Sequence, residues 1–168
     1  DSVAHLAEQT KKPVFFDAEH FFDGYKSDPG YALDTLGAAL EGGAERIILC
    51  DTNGGILPNE LARAIKHVRR DIPSVPLGIH VHNDGGLAVA NTLRAIEEGV
   101  IQVHGTVNGI GERCGNVDLT AILSNLELKM GYQCLPDGNL KGLTNLSKKI
   151  WEFLGRDGPM NQPFVGPS

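Results

Sequence analysis

The sequence contains few cysteines and lacks any long apolar run. Its three cysteines, Cys50, Cys114 and Cys134, are odd in number and none lies in a CxxC pattern. A disulfide framework or a cysteine zinc site is therefore not expected. No run of about 18 apolar residues occurs, so we expect no membrane span, and no secretory signal pattern opens the chain. These absences predict a protein of a reducing, cytoplasmic compartment.

Acidic residues outnumber basic residues, and the formal net charge is −6. Dense basic clusters occur only as pairs that suit solvated helix ends: Lys11-Lys12, Arg69-Arg70 and Lys148-Lys149. A nucleic-acid partner would need Lys and Arg clustered on one face, so none is expected. The 168 residues, of which 41% are hydrophobic and 21% charged, suit a globular domain with a core of its own.

Short β-rich segments alternate with amphipathic stretches along the chain. The predicted strands are residues 13–17, 46–51, 75–82 and 100–107. Apolar residues then recur at helical spacing in residues 32–40, 61–68, 87–96 and 117–130. This order predicts a parallel α/β sheet covered by helices. The units repeat every roughly 25 to 35 residues, which suits a (β/α) barrel better than an open sheet without excluding the latter.

The alternation of predicted strands and helices ends after Gly131. Residues 133–138 read as a turn-rich link, and residues 140–154 as one last amphipathic helix. Residues 156–168 hold three of the nine prolines and show no periodicity. We expect this last segment to be an extended linker.

Polar residues follow each predicted strand, in residues 17–20, 51–53, 80–84 and 108–116. In parallel α/β folds, ligands bind at the carboxyl ends of the strands. The four polar clusters are therefore expected to lie on one face, where they would form a functional site.

The most informative cluster is His80-Val81-His82-Asn83-Asp84. Side chains alternate faces along a strand, so His80 and His82 are expected to project the same way. Two imidazoles on one face can bind a divalent metal ion such as zinc, manganese or iron. A third ligand would come from another strand end, and the Asn116 carbonyl oxygen is the best candidate. The alternative is a pair of strand-end histidines that are hydrogen-bonded to their neighbours.

Two more strand-end residues have both a chemical and a structural interpretation. Glu19 could act as an acid or base beside aromatic residues, or it could be an exposed loop acid. Thr52 could bind a substrate carboxylate, or it could hydrogen-bond its own turn.

Three features of the later part of the chain carry weaker signals. Cys114 lies beside Arg113, but no base is positioned near it by a motif, so a nucleophilic role is not expected. His104 lies in the last predicted strand and is interpreted as a core histidine. The Gly109-Ile110-Gly111 sequence follows the last strand instead of the first, so it does not match a dinucleotide fingerprint.

Two long motifs and one turn together resemble a known enzyme family. The relevant sequences are HVHND at residues 80–84, NGIGERCGN at residues 108–116 and DTNG at residues 51–54. They resemble the motifs of the isopropylmalate, homocitrate and citramalate synthases, a group of metal-dependent TIM barrels that includes HMG-CoA lyase. The sequence FDAEHFFDGYK at residues 16–26 is most similar to the citramalate synthase branch.

The resemblance implies a Claisen-type condensation of acetyl-CoA with a 2-keto acid, most simply pyruvate, which gives citramalate and free CoA. It implies a divalent metal ion (Mg, Mn or Zn) on His80, His82 and Asn116. Further implied roles are substrate binding by Thr52, Asp51 and Asn108, a catalytic Glu19 that lines the pocket, and support of the ligands by Asp84 and Glu112. A homodimer is also implied. Isopropylmalate or homocitrate synthesis, a lyase or aldolase reaction of the same group, and a non-catalytic fragment remain alternatives.

One departure from the family pattern concerns the first barrel strand. The Asp-Arg-Glu type motif, which supplies an acidic metal ligand and an Arg, does not precede Pro13. We therefore expect residues 1–132 to be strands five to eight of a (β/α)₈ barrel, its C-terminal half. Residues 133–168 would then be a linker and the first helix of the post-barrel region. Alone, such a piece is expected to be inactive, and to associate or be marginally stable, because its sheet edges are unpaired.

Overall fold

The computed structural model describes residues 1–167. It contains one four-stranded sheet whose strands pair in sequence order, and every pairing is parallel. The strands are β1 (Phe15–Ala18), β2 (Arg46–Asp51), β3 (Leu77–Val81) and β4 (Gln102–His104). The predicted parallel α/β fold is therefore confirmed.

Helices connect the strands and continue after them. They are α1 (Ser2–Thr10), α2 (Phe21–Ser27), α3 (Pro29–Glu41), α4 (Pro58–Asp71), α5 (Ala88–Glu97), α6 (Leu119–Lys129) and α7 (Leu143–Phe153). Short 3₁₀ turns lie at Val107–Gly109 and Leu140–Gly142. None of the helices within residues 1–167 combines the length and the apolar character that crossing a membrane requires.

Local sequence signals account for several helix ends. The Asp28 carboxylate accepts a hydrogen bond from the Tyr31 N–H at 3.0 Å, and Pro29 occupies the first turn of α3. The Asp118 carboxylate caps α6 in the same way by accepting from the Thr120 N–H at 2.8 Å. Both side chains satisfy an N–H group that the helix itself leaves unpaired.

The chain forms two compact units, of which the first is Asp1–His104 and the second begins at Gly105. The predicted boundary between residues 132 and 133 concerns barrel and post-barrel regions and stays a prediction. In the first unit, strands β2 and β3 are buried on both faces, as expected for central strands of a covered parallel sheet. Fully buried residues also lie on α3, at Leu36, and on one face of α4, at Leu61, Ile65 and Val68.

Two elements differ from the sequence-based expectation. Strand β4 ends at His104 instead of residue 107, and Val107 begins a 3₁₀ turn. A Cβ atom at Gly105 would lie 2.7 Å from Val117 Cγ1, so the backbone passes too close to Val117 for a side chain. Helix α2 was not predicted from the sequence. It is only seven residues long, contains Gly24 and is preceded by His20 in a left-handed conformation, so its residues show no helical period.

Truncation of Ile65 to Ala tests the assignment of the core. Ile65 is fully buried, whereas Ile101 in the same unit is 67% exposed. We expect Ile65→Ala to lower the free energy of unfolding by about 2–5 kcal/mol, because it removes buried methyl groups and leaves a cavity. The matched control Ile101→Ala should change it by less than about 1 kcal/mol. Urea denaturation measures both, and equal effects would contradict the assignment.

Candidate functional site

His80 and His82 lie together at the carboxyl end of strand β3. Their Nε2 atoms are 3.2 Å apart, and their ring centroids are 5.1 Å apart. His80 belongs to β3, and His82 follows the last strand residue, Val81. The two rings therefore project to the same side, as the period of a strand predicts.

The ring of His82 is oriented by a backbone group of the neighbouring loop. Its Nδ1 atom is 2.7 Å from the Thr52 carbonyl oxygen. A carbonyl can only accept, so Nδ1 carries the proton and Nε2 keeps its lone pair. This is the tautomer that a metal-binding Nε2 requires.

His80 lies beside a second polar cluster in the sheet. Burial lowers the pKa of His80, and the nearby His82 and His104 lower it further, which favours the neutral imidazole. The His104 centroid is 5.9 Å from that of His80, and the His104 Nε2 accepts a 2.8 Å hydrogen bond from the Gln102 amide nitrogen. The Gln102 carbonyl in turn accepts from Arg46. His104 is half-buried and engaged by these side chains.

The loop after β2 packs closely against the residues that follow β3. Asp51 is 2% exposed, and its carboxylate accepts from the N–H groups of Gly55 and Ile56 at 3.2 and 3.4 Å. Burial raises the pKa of Asp51 in spite of these hydrogen bonds. Gly54 has a φ of +62°, and a Cβ atom there would lie 2.7 Å from Asp84 N and 2.9 Å from the His82 carbonyl oxygen. The Asp51 carboxylate thus holds the loop, and Gly54 allows the close approach.

Thr52 and Glu19 contact each other at the ends of β2 and β1. The Thr52 hydroxyl donates to Glu19 Oε1 at 3.1 Å and accepts from the His20 N–H at 2.8 Å. The Glu19 side chain is exposed, whereas Phe21 and Phe22 of α2 are buried. Thr52 and Glu19 therefore form one hydrogen-bonded pair at the strand ends.

The second unit holds the loop at residues 108–116, which carries Asn116. The Asn116 amide nitrogen donates to the Ile110 carbonyl at 3.4 Å, while its Oδ1 is buried without a hydrogen-bond partner in the part of the chain described. Gly115 has a φ of +91°, and a Cβ atom there would lie only 1.9 Å from the Gly109 carbonyl oxygen. The loop is so tight that glycine is required at position 115.

Asn108 has a structural role at the start of this loop. It adopts a left-handed conformation with a φ of 65°, which asparagine tolerates better than most residues. Its amide nitrogen donates to the Ser147 carbonyl at 3.0 Å, and its Oδ1 accepts from Gln162 at 2.9 Å. Sequence reasoning missed Gln162, because it lies in a proline-rich segment without periodicity. The predicted substrate contact of Asn108 stays a prediction.

The other predicted residues are placed as follows. Asp84 lies next to Gly54, and Glu112 is 74% exposed and pairs with Arg113 at 3.7 Å. Within residues 1–167, no three His, Cys, Asp or Glu side chains are arranged to hold a metal ion. The predicted ligand set contains two histidines and an asparagine, and Asn116 belongs to the second unit, so this set also stays a prediction.

Comparison with known families identifies the class of protein. The family model described as HMGL-like matches residues 1–150. The chain belongs to the HMGL-like family, as the two long motifs indicated.

Curated proteins of similar sequence include citramalate synthases and a probable isopropylmalate synthase. The chain is 54% identical over 155 residues to (R)-citramalate synthase of Aquifex aeolicus, which covers 92% of the chain and 29% of that protein. It is 49% identical to (R)-citramalate synthase of Geobacter sulfurreducens over 100% of the chain and 31% of that protein. A probable 2-isopropylmalate synthase of Methanopyrus kandleri is 41% identical over 91% of the chain and 30% of its own length. The chain thus spans under one third of the length of these relatives.

Solved structures share the fold. The HMG-CoA lyase of Bacillus subtilis matches with a TM-score of 0.80 and 24% identity over 98% of the chain and 56% of that structure. The carboxyl transferase domain of Rhizobium etli pyruvate carboxylase matches with a TM-score of 0.75 and 19% identity over 99% of the chain and 28% of that structure. The sequential parallel sheet is therefore a fold common to these barrel enzymes.

Substitution of Gly54 tests the packing that orients His82. Gly54→Ala is expected to displace the turn at residues 82–84, because the new Cβ atom would collide with backbone atoms there. We expect a loss of stability of about 1–3 kcal/mol and a changed chemical shift of the His82 ring. Gly55→Ala is the control, since a Cβ atom at Gly55 meets nothing within 4 Å. Unchanged His82 signals in Gly54→Ala would refute this role.

The three cysteines are all unpaired and are expected to differ in reactivity. Burial raises the pKa of Cys50 to about 12, and the carboxylates of Asp17 and Glu19 contribute to the shift. Partial burial, followed by Glu127, also raises the pKa of Cys134, which like Cys114 is exposed. At pH 8 only about one Cys50 thiol in ten thousand would be ionised.

Iodoacetamide should therefore modify Cys114 first, Cys134 more slowly and Cys50 only after unfolding, as followed by peptide mass spectrometry. Modification of Cys50 in the folded protein at the rate of Cys114 would contradict this order.

Proposed function

We propose that the protein carrying this chain condenses acetyl-CoA with pyruvate and water to give (R)-citramalate and free CoA. The observation that carries the proposal is the histidine pair at the end of β3, whose Nε2 atoms face each other at 3.2 Å. The identities of 54% and 49% with (R)-citramalate synthases support pyruvate as the keto acid.

The distance between the two Nε2 atoms supports a shared divalent ion. Two metal–nitrogen bonds of about 2.1 Å at angles between about 90° and 110° put the two nitrogens about 3.0–3.4 Å apart. The observed 3.2 Å lies within this range. The buried Asn116 Oδ1, which lacks a hydrogen-bond partner in residues 1–167, has the chemistry of a hard oxygen ligand. We propose, as the family resemblance implies, that His80, His82 and Asn116 hold the ion, and the choice among Mg, Mn and Zn stays open.

A divalent ion bound there supplies Lewis acidity that polarises the keto carbonyl of the substrate. In the proposed reaction, the methyl carbon of acetyl-CoA loses a proton to a base and forms a bond with the keto carbon, whose C=O π bond opens so that the oxygen takes up a proton and becomes a hydroxyl. Water then cleaves the thioester and releases the CoA thiol. The Thr52 hydroxyl would exchange its hydrogen bond to Glu19 Oε1 for one to the keto-acid carboxylate, and Glu19 would line the same pocket.

Asp51 and Asn108 would act on the substrate indirectly. The Asp51 carboxylate is already engaged by two N–H groups of the loop that carries Thr52. Both polar atoms of the Asn108 side chain are engaged within the second unit. These contacts favour positioning roles for the two residues, and they leave the catalytic contacts to Glu19 and Thr52.

We also propose that the four strands are strands five to eight of a (β/α)₈ barrel, with a post-barrel region from residue 133. The sequential parallel order of the sheet and the TM-score of 0.80 with a barrel enzyme support this arrangement. Strands β1 and β4 each pair on one side only within residues 1–167. The isolated chain is therefore expected to be inactive. A homodimer in a cytoplasmic compartment, without a nucleic-acid or membrane partner, completes the proposal.

A second candidate function is 2-isopropylmalate synthesis. The 41% identity with a probable 2-isopropylmalate synthase supports it. Homocitrate synthesis and a lyase or aldolase reaction are more distant members of the same set. The reactions differ in the keto acid consumed or in the direction of carbon–carbon bond chemistry, so substrate assays separate them.

The test is release of the CoA thiol by the purified protein in which this chain occurs. Acetyl-CoA should give thiol with pyruvate, and much less with 2-ketoisovalerate or 2-ketoglutarate. His82→Ala should lower the bound divalent metal and the thiol release by at least about tenfold, because one ligand is lost. His5→Ala changes an exposed histidine of α1 and is the matched control.

Each outcome has a distinct meaning. Unchanged metal content in His82→Ala would refute the ligand assignment. Thiol release with 2-ketoisovalerate alone would favour the second candidate, and no release with any keto acid would refute condensation. Turnover by the isolated 168-residue chain would contradict the proposed barrel half.

A further inference from the structure

A glutamine in the proline-rich segment joins three distant parts of the second unit. The Gln162 amide nitrogen donates to Asn108 Oδ1 at 2.9 Å and to Asp118 Oδ2 at 3.2 Å. Its carbonyl oxygen accepts from Trp151 Nε1 at 3.0 Å and from the Ser147 hydroxyl at 3.5 Å. Both hydrogens and both lone pairs of the amide are therefore engaged.

The two residues that accept from Gln162 flank the tight loop at residues 108–116. Asn108 opens the loop in its left-handed conformation, and the next residue, Gly109, accepts a hydrogen bond from the Asn116 N–H at 3.0 Å. Asp118 closes the loop and uses its other oxygen, Oδ1, to cap helix α6. Gln162 thus contacts both ends of the loop that carries Asn116.

Helix α7 supports Gln162 from the other side. Trp151 and Ser147 both lie on α7, and the Ser147 carbonyl also accepts from the Asn108 amide. The chain after α7 passes closely over Trp151, since a Cβ atom at Gly158 would lie 2.5 Å from Trp151 Cδ1. This packing fixes the path of the segment that brings Gln162 to the loop.

We propose that Gln162 is a positioning residue, which holds the loop at residues 108–116 in the conformation that presents Asn116. Gln162 lies outside residues 1–150, the part of the chain that the family model matches. The consequence for metal binding rests on the proposed function, whereas the consequence for the loop does not. The segment after α7 then stabilises the loop at residues 108–116 and is more than a linker.

The chemistry of the contact explains why an amide is required. Both partners of the Gln162 nitrogen are oxygen atoms, one of them a carboxylate. Only a group with two N–H donors can satisfy both. A glutamate of the same shape would present oxygen to oxygen, and like charges at Asp118 would repel each other.

The experiment uses Gln162→Ala and Gln162→Glu in the protein that carries the chain. Amide hydrogen exchange should accelerate about tenfold or more at Gly109 and Asn116 in both variants, while helix α4 stays protected. Affinity for Mn²⁺, measured by calorimetry, should fall about tenfold because the asparagine ligand is no longer held. Gln133→Ala is the matched control, since Gln133 is exposed and donates a hydrogen bond to Asp137 at 2.8 Å, outside the loop at residues 108–116.

The results separate this proposal from the proposed function. Faster exchange confined to residues 156–167, with the loop still protected, would overturn the positioning role. Wild-type exchange in Gln162→Glu would also overturn it, because the donors would then be dispensable. If the unchanged protein binds no Mn²⁺, the proposed function fails, while the exchange of the loop still decides the role of Gln162. Should Gln162→Ala fail to fold, the near-isosteric Gln162→Glu supplies the same comparison.

Discussion

The hydrogen bond between His82 Nδ1 and the Thr52 carbonyl is the contact on which the first half of the site depends. It ties the end of β3 to the loop after β2, and in the neutral imidazole it selects the tautomer whose lone pair is on Nε2. The bond forms only because the loop comes close enough, and Gly54 and the Asp51 carboxylate make that approach possible. The tautomer of His82 thus depends on the packing of the loop after β2 against the end of β3.

In the second unit, other contacts hold a loop in a fixed conformation. Its loop at residues 108–116 is closed by backbone hydrogen bonds and by glycines whose positions admit no side chain. Its ends are held by side-chain amides and a carboxylate, with Gln162 between them. In both units, therefore, polar contacts hold a loop in place, and the predicted site residues lie on these loops or contact them.

The sequence alone predicts the parallel sheet and the histidine pair, because both follow from simple periods. Alternation along β3 places His80 and His82 on one side, and helices α3, α4, α5 and α6 lie where the apolar spacing predicts them. Helix α2 was missed, since seven residues around a glycine have no readable period. The extent of β4 was also wrong, because the chain turns at Gly105 through a tertiary contact with Val117 that no local pattern encodes.

Site residues that act through long-range contacts are equally hidden from sequence reasoning. The Gln162–Asn108 bond joins residues 54 positions apart, and the Thr52–Glu19 bond joins residues 33 positions apart. The structure also reveals that the acceptor for His82 is the backbone of residue 52 and not its side chain. Every amino acid carries that carbonyl, so the tautomer of His82 can survive substitution at position 52. The side chain at position 52 can therefore change while the imidazole beside it keeps its tautomer.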